Sequence, residues 1–110
     1  MKQSVNTSTF RDAFHNSVTY RHNFSYMGLS YLFGYLEDLE KDIGEEMELD
    51  VCAICCDYAE STVDELIDAY SIPVDDEMDK RERLEIVLDF INEHSILCAH
   101  WDDRIIYMQF

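Results

Sequence analysis

The sequence predicts an α+β domain in which three to four helices pack on one face of a small antiparallel sheet of about three strands. Apolar residues recur at helical spacing in several segments, and two short apolar segments near the C terminus are separated by a three-residue loop. The chain has 110 residues, 47% of them hydrophobic, with one Pro and three Gly. This length and composition predict one packed domain over residues 1–110.

The longest predicted helix runs from about Ser25 to Ile43. Ser25 is a candidate N-cap, and Gly44 can adopt the left-handed conformation that ends many helices. A shorter helix over residues 9–14 would bury Phe10 and Phe14, which are four positions apart. The apolar stripe of the long helix consists of Leu29, Leu32, Phe33, Leu36, Leu39 and Ile43.

Two further helices are predicted in the second half of the chain. One begins at Thr62, which forms a capping-box pattern with Glu65, and its unit ends at Pro73. The other covers about residues 79–94. Their apolar stripes are Val63, Leu66, Ile67 and Tyr70 in the first, and Leu84, Val87, Leu88 and Ile91 in the second.

Three segments are predicted as strands. Residues 51–56 form a short apolar run that indicates a central strand covered on both faces. Residues 95–100 and 104–110 suit a β-hairpin with a short loop. The last strand would leave an open edge at the end of the chain, which allows pairing with a second copy in a homodimer.

The charge is the unusual property of the sequence. Asp and Glu number 24 against 8 Lys and Arg, for a formal net charge of −16. Such a field repels nucleic acid and anionic membranes and attracts basic surfaces. The sequence has no apolar run of about 18 residues and no apolar signal segment at Met1–Thr7, so a cytoplasmic protein with reduced cysteines is expected.

The acidic residues predict the binding surface. Eight of them lie between Glu37 and Asp50, whereas residues 1–24 are weakly basic through Lys2, Arg11 and Arg21. A compact domain of this size is roughly 30–35 Å across, and duplex DNA of that length carries on the order of 20 phosphates. The candidate partner-binding residues are Glu37, Asp38, Asp42, Glu45, Glu46 and Glu48, supported by Asp64, Glu65 and Asp68.

No metal site, cofactor or catalytic residue is predicted. Cys52 and Cys55 match a C-x-x-C pattern, but in a strand their side chains point to opposite faces, so packing of the cysteines in the core is expected. The sequence has no phosphate-binding loop, dinucleotide motif or nucleophile elbow. A metal-dependent enzyme is therefore the weakest of the three functional classes considered.

Six segments together carry a family resemblance: FSYMGL at 24–29, LEDLE at 36–40, ELDV at 48–51, CCDY at 55–58, INEH at 91–94 and IIYMQF at 105–110. The chain resembles, over most of its length, a family of small acidic proteins encoded by phages, prophages and plasmids. The resemblance implies an origin in a mobile element, where small acidic proteins often disarm host defences. It supplies no catalytic residues.

The expected function is therefore inhibition of a host defence complex of the CRISPR or restriction type. The acidic surface would imitate nucleic acid and occupy a basic nucleic-acid-binding site, without turnover and without binding nucleic acid or membrane itself. The alternative is a small adaptor or antitoxin that docks through aromatic and apolar patches. Its candidate contact residues are Tyr26, Tyr31, Tyr35, Tyr58 and Tyr70.

Overall fold

The computed structural model describes residues 5–110 and confirms the α+β class. Residues 1–4 lie outside this range. They include Lys2 of the weakly basic N-terminal segment and the start of Met1–Thr7, where no signal segment is predicted. The described residues form five helices and three strands. In chain order these are α1 (Thr7–His15), α2 (Tyr26–Ile43), α3 (Val51–Asp57), β1 (Tyr58–Thr62), α4 (Val63–Tyr70), α5 (Lys80–His94), β2 (Leu97–Trp101) and β3 (Arg104–Met108).

The three strands form one antiparallel sheet in the order β1-β3-β2. The predicted hairpin of β2 and β3 is confirmed, and Asp102 in its turn has a φ of 47°. Asp tolerates this left-handed conformation better than most residues. Since β3 is the central strand, both of its edges are paired within the chain. The prediction of an open edge on the C-terminal strand is therefore wrong, and a homodimer would need another surface.

Helices cover both faces of the sheet, so the prediction that they lie on one face is wrong. Ile106 packs with buried residues of α1, α2 and α3, whereas Ile105 and Tyr107 pack with buried residues of α4 and α5. Successive side chains of a strand point to opposite faces. Three consecutive large apolar residues in the central strand therefore need cover on both sides, which one layer of helices cannot provide.

Side-chain caps begin all five helices of the described chain. The predicted caps at Ser25 and Thr62 are confirmed, the second as a full capping box with Glu65. Gly44 ends α2 with a φ of 71°, as predicted. These local signals are strong because each cap satisfies backbone groups that the helix itself leaves unpaired. The cap residues are Asn6, Ser25, Asp50, Thr62 and Asp79.

The prediction of a strand over residues 51–56 is wrong, because this segment forms α3. Asp50 accepts a hydrogen bond from the backbone N–H of Ala53 at 3.1 Å and so starts the helix. The residues that face the core follow helical spacing, namely Val51, Ile54, Cys55 and Tyr58. The third strand is instead β1, which begins directly after α3.

Glu60 joins three elements at one buried point. Its side chain is 1% exposed and accepts hydrogen bonds from the backbone N–H and the hydroxyl of Ser25, both at 3.0 Å, and from Arg104 at 2.9 Å. A carboxylate at a helix N-terminus also interacts favourably with the helix dipole. Glu60 on β1 therefore holds the start of α2 and the side chain of Arg104 on β3 in place.

Substitution of the two glycines of α2 by alanine is expected to change the stability of the protein in opposite directions. A Cβ at Gly28 would overlap the carboxylate of Glu60, which three hydrogen bonds hold in place, whereas a Cβ at Gly34 meets nothing within 4 Å. We expect Gly34→Ala to stabilise by up to about 1 kcal/mol through helix propensity. Gly28→Ala should destabilise by about 1–3 kcal/mol through overpacking. Urea unfolding followed by circular dichroism measures both, and stabilisation by Gly28→Ala would contradict the Glu60 geometry.

Candidate partner-binding surface

The C-terminal half of α2 and the segment after it carry six of the predicted binding residues, which we name the α2 acidic surface. The last buried residue of α2 is Leu36, and Ile43 at the end of the helix is 54% exposed. The helix therefore extends beyond the core that fixes its first half. Five of the six acidic side chains are exposed and one, Glu37, is half-buried. The surface consists of Glu37, Asp38, Asp42, Glu45, Glu46 and Glu48.

The centre of the α2 acidic surface carries little compensating positive charge. Lys41 is the only basic residue between positions 37 and 50 of the sequence. The ion pairs given by the structure join Arg81 to Glu85 at 3.5 Å, Arg83 to Asp64 at 3.9 Å and Arg104 to Glu60 at 2.9 Å. Within residues 5–110, Asp38, Asp42, Glu45 and Glu46 take part in none of these ion pairs.

The local physics of α2 disfavours this arrangement. Asp38 and Asp42 are like charges at i,i+4, which costs a few tenths of a kcal/mol in a helix. Asp42 also lies in the last turn, where the negative end of the helix dipole disfavours a carboxylate by about 0.3–1 kcal/mol. The sequence therefore accepts a small stability cost at this end of the helix, which supports a use for the charges.

The supporting residues Asp64, Glu65 and Asp68 do not join the α2 acidic surface. They lie on α4, which packs on the opposite face of the sheet from α2. Asp64 is 3.9 Å from Arg83, and the carboxylate of Glu65 accepts the backbone N–H of Thr62 in the capping box. The predicted nine-residue set is thus divided by the sheet into six residues and three.

The surroundings of α4 are of mixed charge. A groove of about 810 Å³ lies between the first turns of α4 and α5 and the turn of the β2–β3 hairpin. It has both signs of charge along its walls, since Asp64, Asp102 and Asp103 face a basic stretch at the start of α5. That basic stretch consists of Lys80, Arg81 and Arg83. A polyanion-like surface is therefore better developed on α2 than on α4.

The molecule is longer than the diameter of roughly 30–35 Å that is expected of a compact domain of this size. Its principal extents are 49 × 31 × 21 Å and its radius of gyration is 14.9 Å. A duplex as long as the major extent carries roughly 30 phosphates. The 24 carboxylates of the whole sequence are of the same order, and six of them lie in the α2 acidic surface.

The tyrosines of the alternative function are unequally exposed. Tyr26 is 69% and Tyr31 is 40% exposed, whereas Tyr58 is buried and the other two are half-buried. The guanidinium of Arg11 lies 3.9 Å from the ring centroid of Tyr26 and donates to its hydroxyl at 2.9 Å. Tyr31 stacks on Trp101 at 4.6 Å. An aromatic contact surface would therefore rest on the first half of α2 alone.

All four cysteines are free thiols, and they differ in environment. Cys52 and Cys56 are exposed, which contradicts the expectation that the cysteines pack in the core, whereas Cys55 is buried. Burial raises the pKa of Cys55 to about 11, and it raises that of Cys98 to the same value. No group of three or more His, Cys, Asp or Glu side chains among residues 5–110 is placed to hold a metal ion.

Because the thiol of Cys98 is partly buried, we expect it to be alkylated slowly. Because the thiolate is the nucleophile, a pKa of about 11 in place of 9.0 lowers its reactivity near neutral pH by roughly 100-fold. Alkylation by iodoacetamide at about pH 8, followed by peptide mass mapping over time, measures this rate in the native and urea-unfolded chain. Equal rates at Cys98 in the two states would contradict the burial of this thiol.

Comparison with known proteins gives no family for the chain. No protein-family model, curated protein or solved structure matches the chain. Within residues 5–110, no helix combines the length and the apolar character needed to cross a membrane.

Proposed function

We propose that this protein is an inhibitor that imitates nucleic acid with the α2 acidic surface and thereby blocks a basic nucleic-acid-binding site of another macromolecule. One observation carries the proposal: exposed carboxylates cluster where α2 extends past the core, and Asp38, Asp42, Glu45 and Glu46 form no ion pair with a described residue. Solubility alone needs a net charge of only about 2–8, whereas this chain has −16.

The mechanism is competition without turnover. A cationic groove that normally holds phosphates attracts the carboxylates over about 8–10 Å at physiological ionic strength, which speeds the encounter. Once bound, the carboxylates accept hydrogen bonds from lysine and arginine side chains, as phosphate oxygens do. The body of the protein then excludes the true ligand sterically. No cofactor or catalytic residue takes part.

The target class follows from the resemblance to small acidic proteins of mobile elements. We propose that the partner is a nucleic-acid-binding complex of host defence, of the CRISPR or restriction type. Such complexes present long basic channels to DNA or RNA, and their affinity rests largely on phosphate contacts. An acidic body 49 Å long is of a size to occupy a substantial part of such a channel.

Capture at two ionic strengths tests the proposal. The tagged full-length chain is incubated with lysate from the bacterial host at low and at high salt, and the retained proteins are identified by mass spectrometry. We expect a nucleic-acid-binding complex at low salt and its loss at high salt, because exposed charge pairs are screened. A partner that has no basic surface, or that stays bound equally at both salt concentrations, would contradict the mimicry.

The salt-insensitive result would favour the second candidate, an adaptor or antitoxin that docks without mimicry. The observation in its favour is the exposed apolar surface at the start of α2, where Tyr26 is 69% and Met27 is 50% exposed. Tyr and Met are enriched in protein interfaces. Replacement of both by serine would weaken such docking and leave a purely electrostatic contact unchanged.

A further inference from the structure

The helical conformation of α3 brings two exposed thiols to one side of the molecule. Cys52 and Cys56 are four positions apart, and side chains at this spacing have Cβ atoms about 5–6 Å apart on one helix face. Cys55 lies on the other side and packs in the core beside Ile54. The pair is therefore separated from the third thiol by the helix itself.

Polar contacts link this thiol pair to a neighbouring tyrosine. The hydroxyl of Tyr20 lies 3.2 Å from the sulfur of Cys52 and donates a hydrogen bond to it. The helix therefore places the two exposed thiols on one face, and Tyr20 orients the sulfur of Cys52.

We propose that Cys52 and Cys56 form a two-thiolate site for a soft monovalent cation of the copper(I) type. Thiolate is the ligand class that soft cations prefer, and copper(I) is stable with two sulfur ligands. A structural zinc site needs four ligands, and the part of the chain that the structure describes brings no third group to this pair. Coordination number therefore favours copper(I) over zinc.

The binding step balances without any redox change. Both thiols lose their protons to solvent, two copper–sulfur bonds form, and the metal keeps its oxidation state. A cation between the two sulfurs offsets the repulsion between neighbouring thiolates.

A chelator competition tests the site. The reduced full-length protein is titrated anaerobically into the coloured copper(I) complex of bicinchoninate, and the loss of colour measures transfer. We expect one copper(I) per chain. Cys52→Ser and Cys56→Ser should each abolish the transfer, and Tyr20→Phe should weaken binding by roughly 10-fold through loss of the supporting hydrogen bond.

Cys98→Ser is the matched control, because Cys98 lies on β2 and makes no part of the pair. It should take up copper(I) like the wild type. Circular dichroism checks that each serine variant is folded, which the exposed positions of Cys52 and Cys56 favour. The proposal is overturned if the folded wild type takes no copper(I) from the chelator. It is equally overturned if the Cys52→Ser/Cys56→Ser double variant takes as much.

Discussion

Replacement of Glu45 and Glu46 together by lysine is expected to weaken binding to the target by at least about 100-fold, because close charge pairs across interfaces couple by about 1.5–7 kcal/mol. Both residues are exposed and lie beyond the end of α2, so the substitutions disturb no packing. Surface plasmon resonance against the captured complex measures the affinity. Unfolding in urea confirms that the stability of the variant is unchanged.

The matched control reverses two acidic residues on the other side of the molecule. Asp89 and Glu93 are exposed on α5, which packs on the opposite face of the sheet from α2. Asp89→Lys/Glu93→Lys changes the net charge by the same amount as Glu45→Lys/Glu46→Lys. We expect the affinity of this control for the target to fall by less than about tenfold, because only the long-range electrostatic attraction is weaker. Equal losses in the two double variants would show that net charge, and not the α2 acidic surface, governs binding.

Glu60→Ala is expected to cost about 3 kcal/mol of unfolding free energy, the largest stability effect of a single substitution that we anticipate. The change removes a carboxylate that is 1% exposed and leaves the start of α2 and Arg104 without their acceptor. Breaking one partner of a buried ion pair commonly costs about 3–5 kcal/mol. Because Arg104 is 44% exposed and can be hydrated, the lower end of that range applies. Urea unfolding with a two-state fit measures the loss.

Glu85→Ala is the control for Glu60→Ala. Glu85 forms an i,i+4 pair with Arg81, and their side chains are 64% and 87% exposed. An exposed pair of this kind contributes less than about 0.5 kcal/mol. If Glu60→Ala were as mild as Glu85→Ala, the carboxylate would not be the link between β1, α2 and β3 that the geometry indicates.

Local signals in the sequence predicted much of the fold. Ser25, Gly44 and Thr62 mark helix ends through backbone hydrogen bonds and dihedral preferences that depend on the nearest residues alone. The C-terminal hairpin is likewise local. Two elements were missed, α3 because its local signal is ambiguous and β1 because its evidence is not local. The apolar run at 51–56 fits a strand or a helix equally well, and β1 has Glu60 at a buried position.

The buried carboxylate of Glu60 is tolerated in β1 only because Arg104 and Ser25 donate hydrogen bonds to it. These partners are 44 and 35 positions away in the sequence, so no window around β1 contains them. The spacing of Val51, Ile54, Cys55 and Tyr58 was the available signal for α3. Once α3 is recognised as a helix, the pairing of Cys52 with Cys56 follows from i,i+4 geometry.

The candidate surface was predictable in part. Charge density along the chain marks residues 37–50 directly, and the structure keeps the six residues of the α2 acidic surface in one continuous segment at the end of one helix. The separation of Asp64, Glu65 and Asp68 was not predictable, since it depends on which face of the sheet each helix covers. The alternation of Ile105, Ile106 and Tyr107 in the central strand requires cover on both faces of the sheet, but it does not decide which helix lies on which face.

Competition with nucleic acid at the captured complex tests the decoy mechanism most directly. A fluorescent DNA or RNA ligand is bound to the isolated complex, and the full-length chain is added while the anisotropy is followed. We predict release of the ligand at a stoichiometry near one inhibitor per binding site, with Glu45→Lys/Glu46→Lys inactive and Asp89→Lys/Glu93→Lys active. Simultaneous binding of the chain and the nucleic acid to one complex would contradict the account.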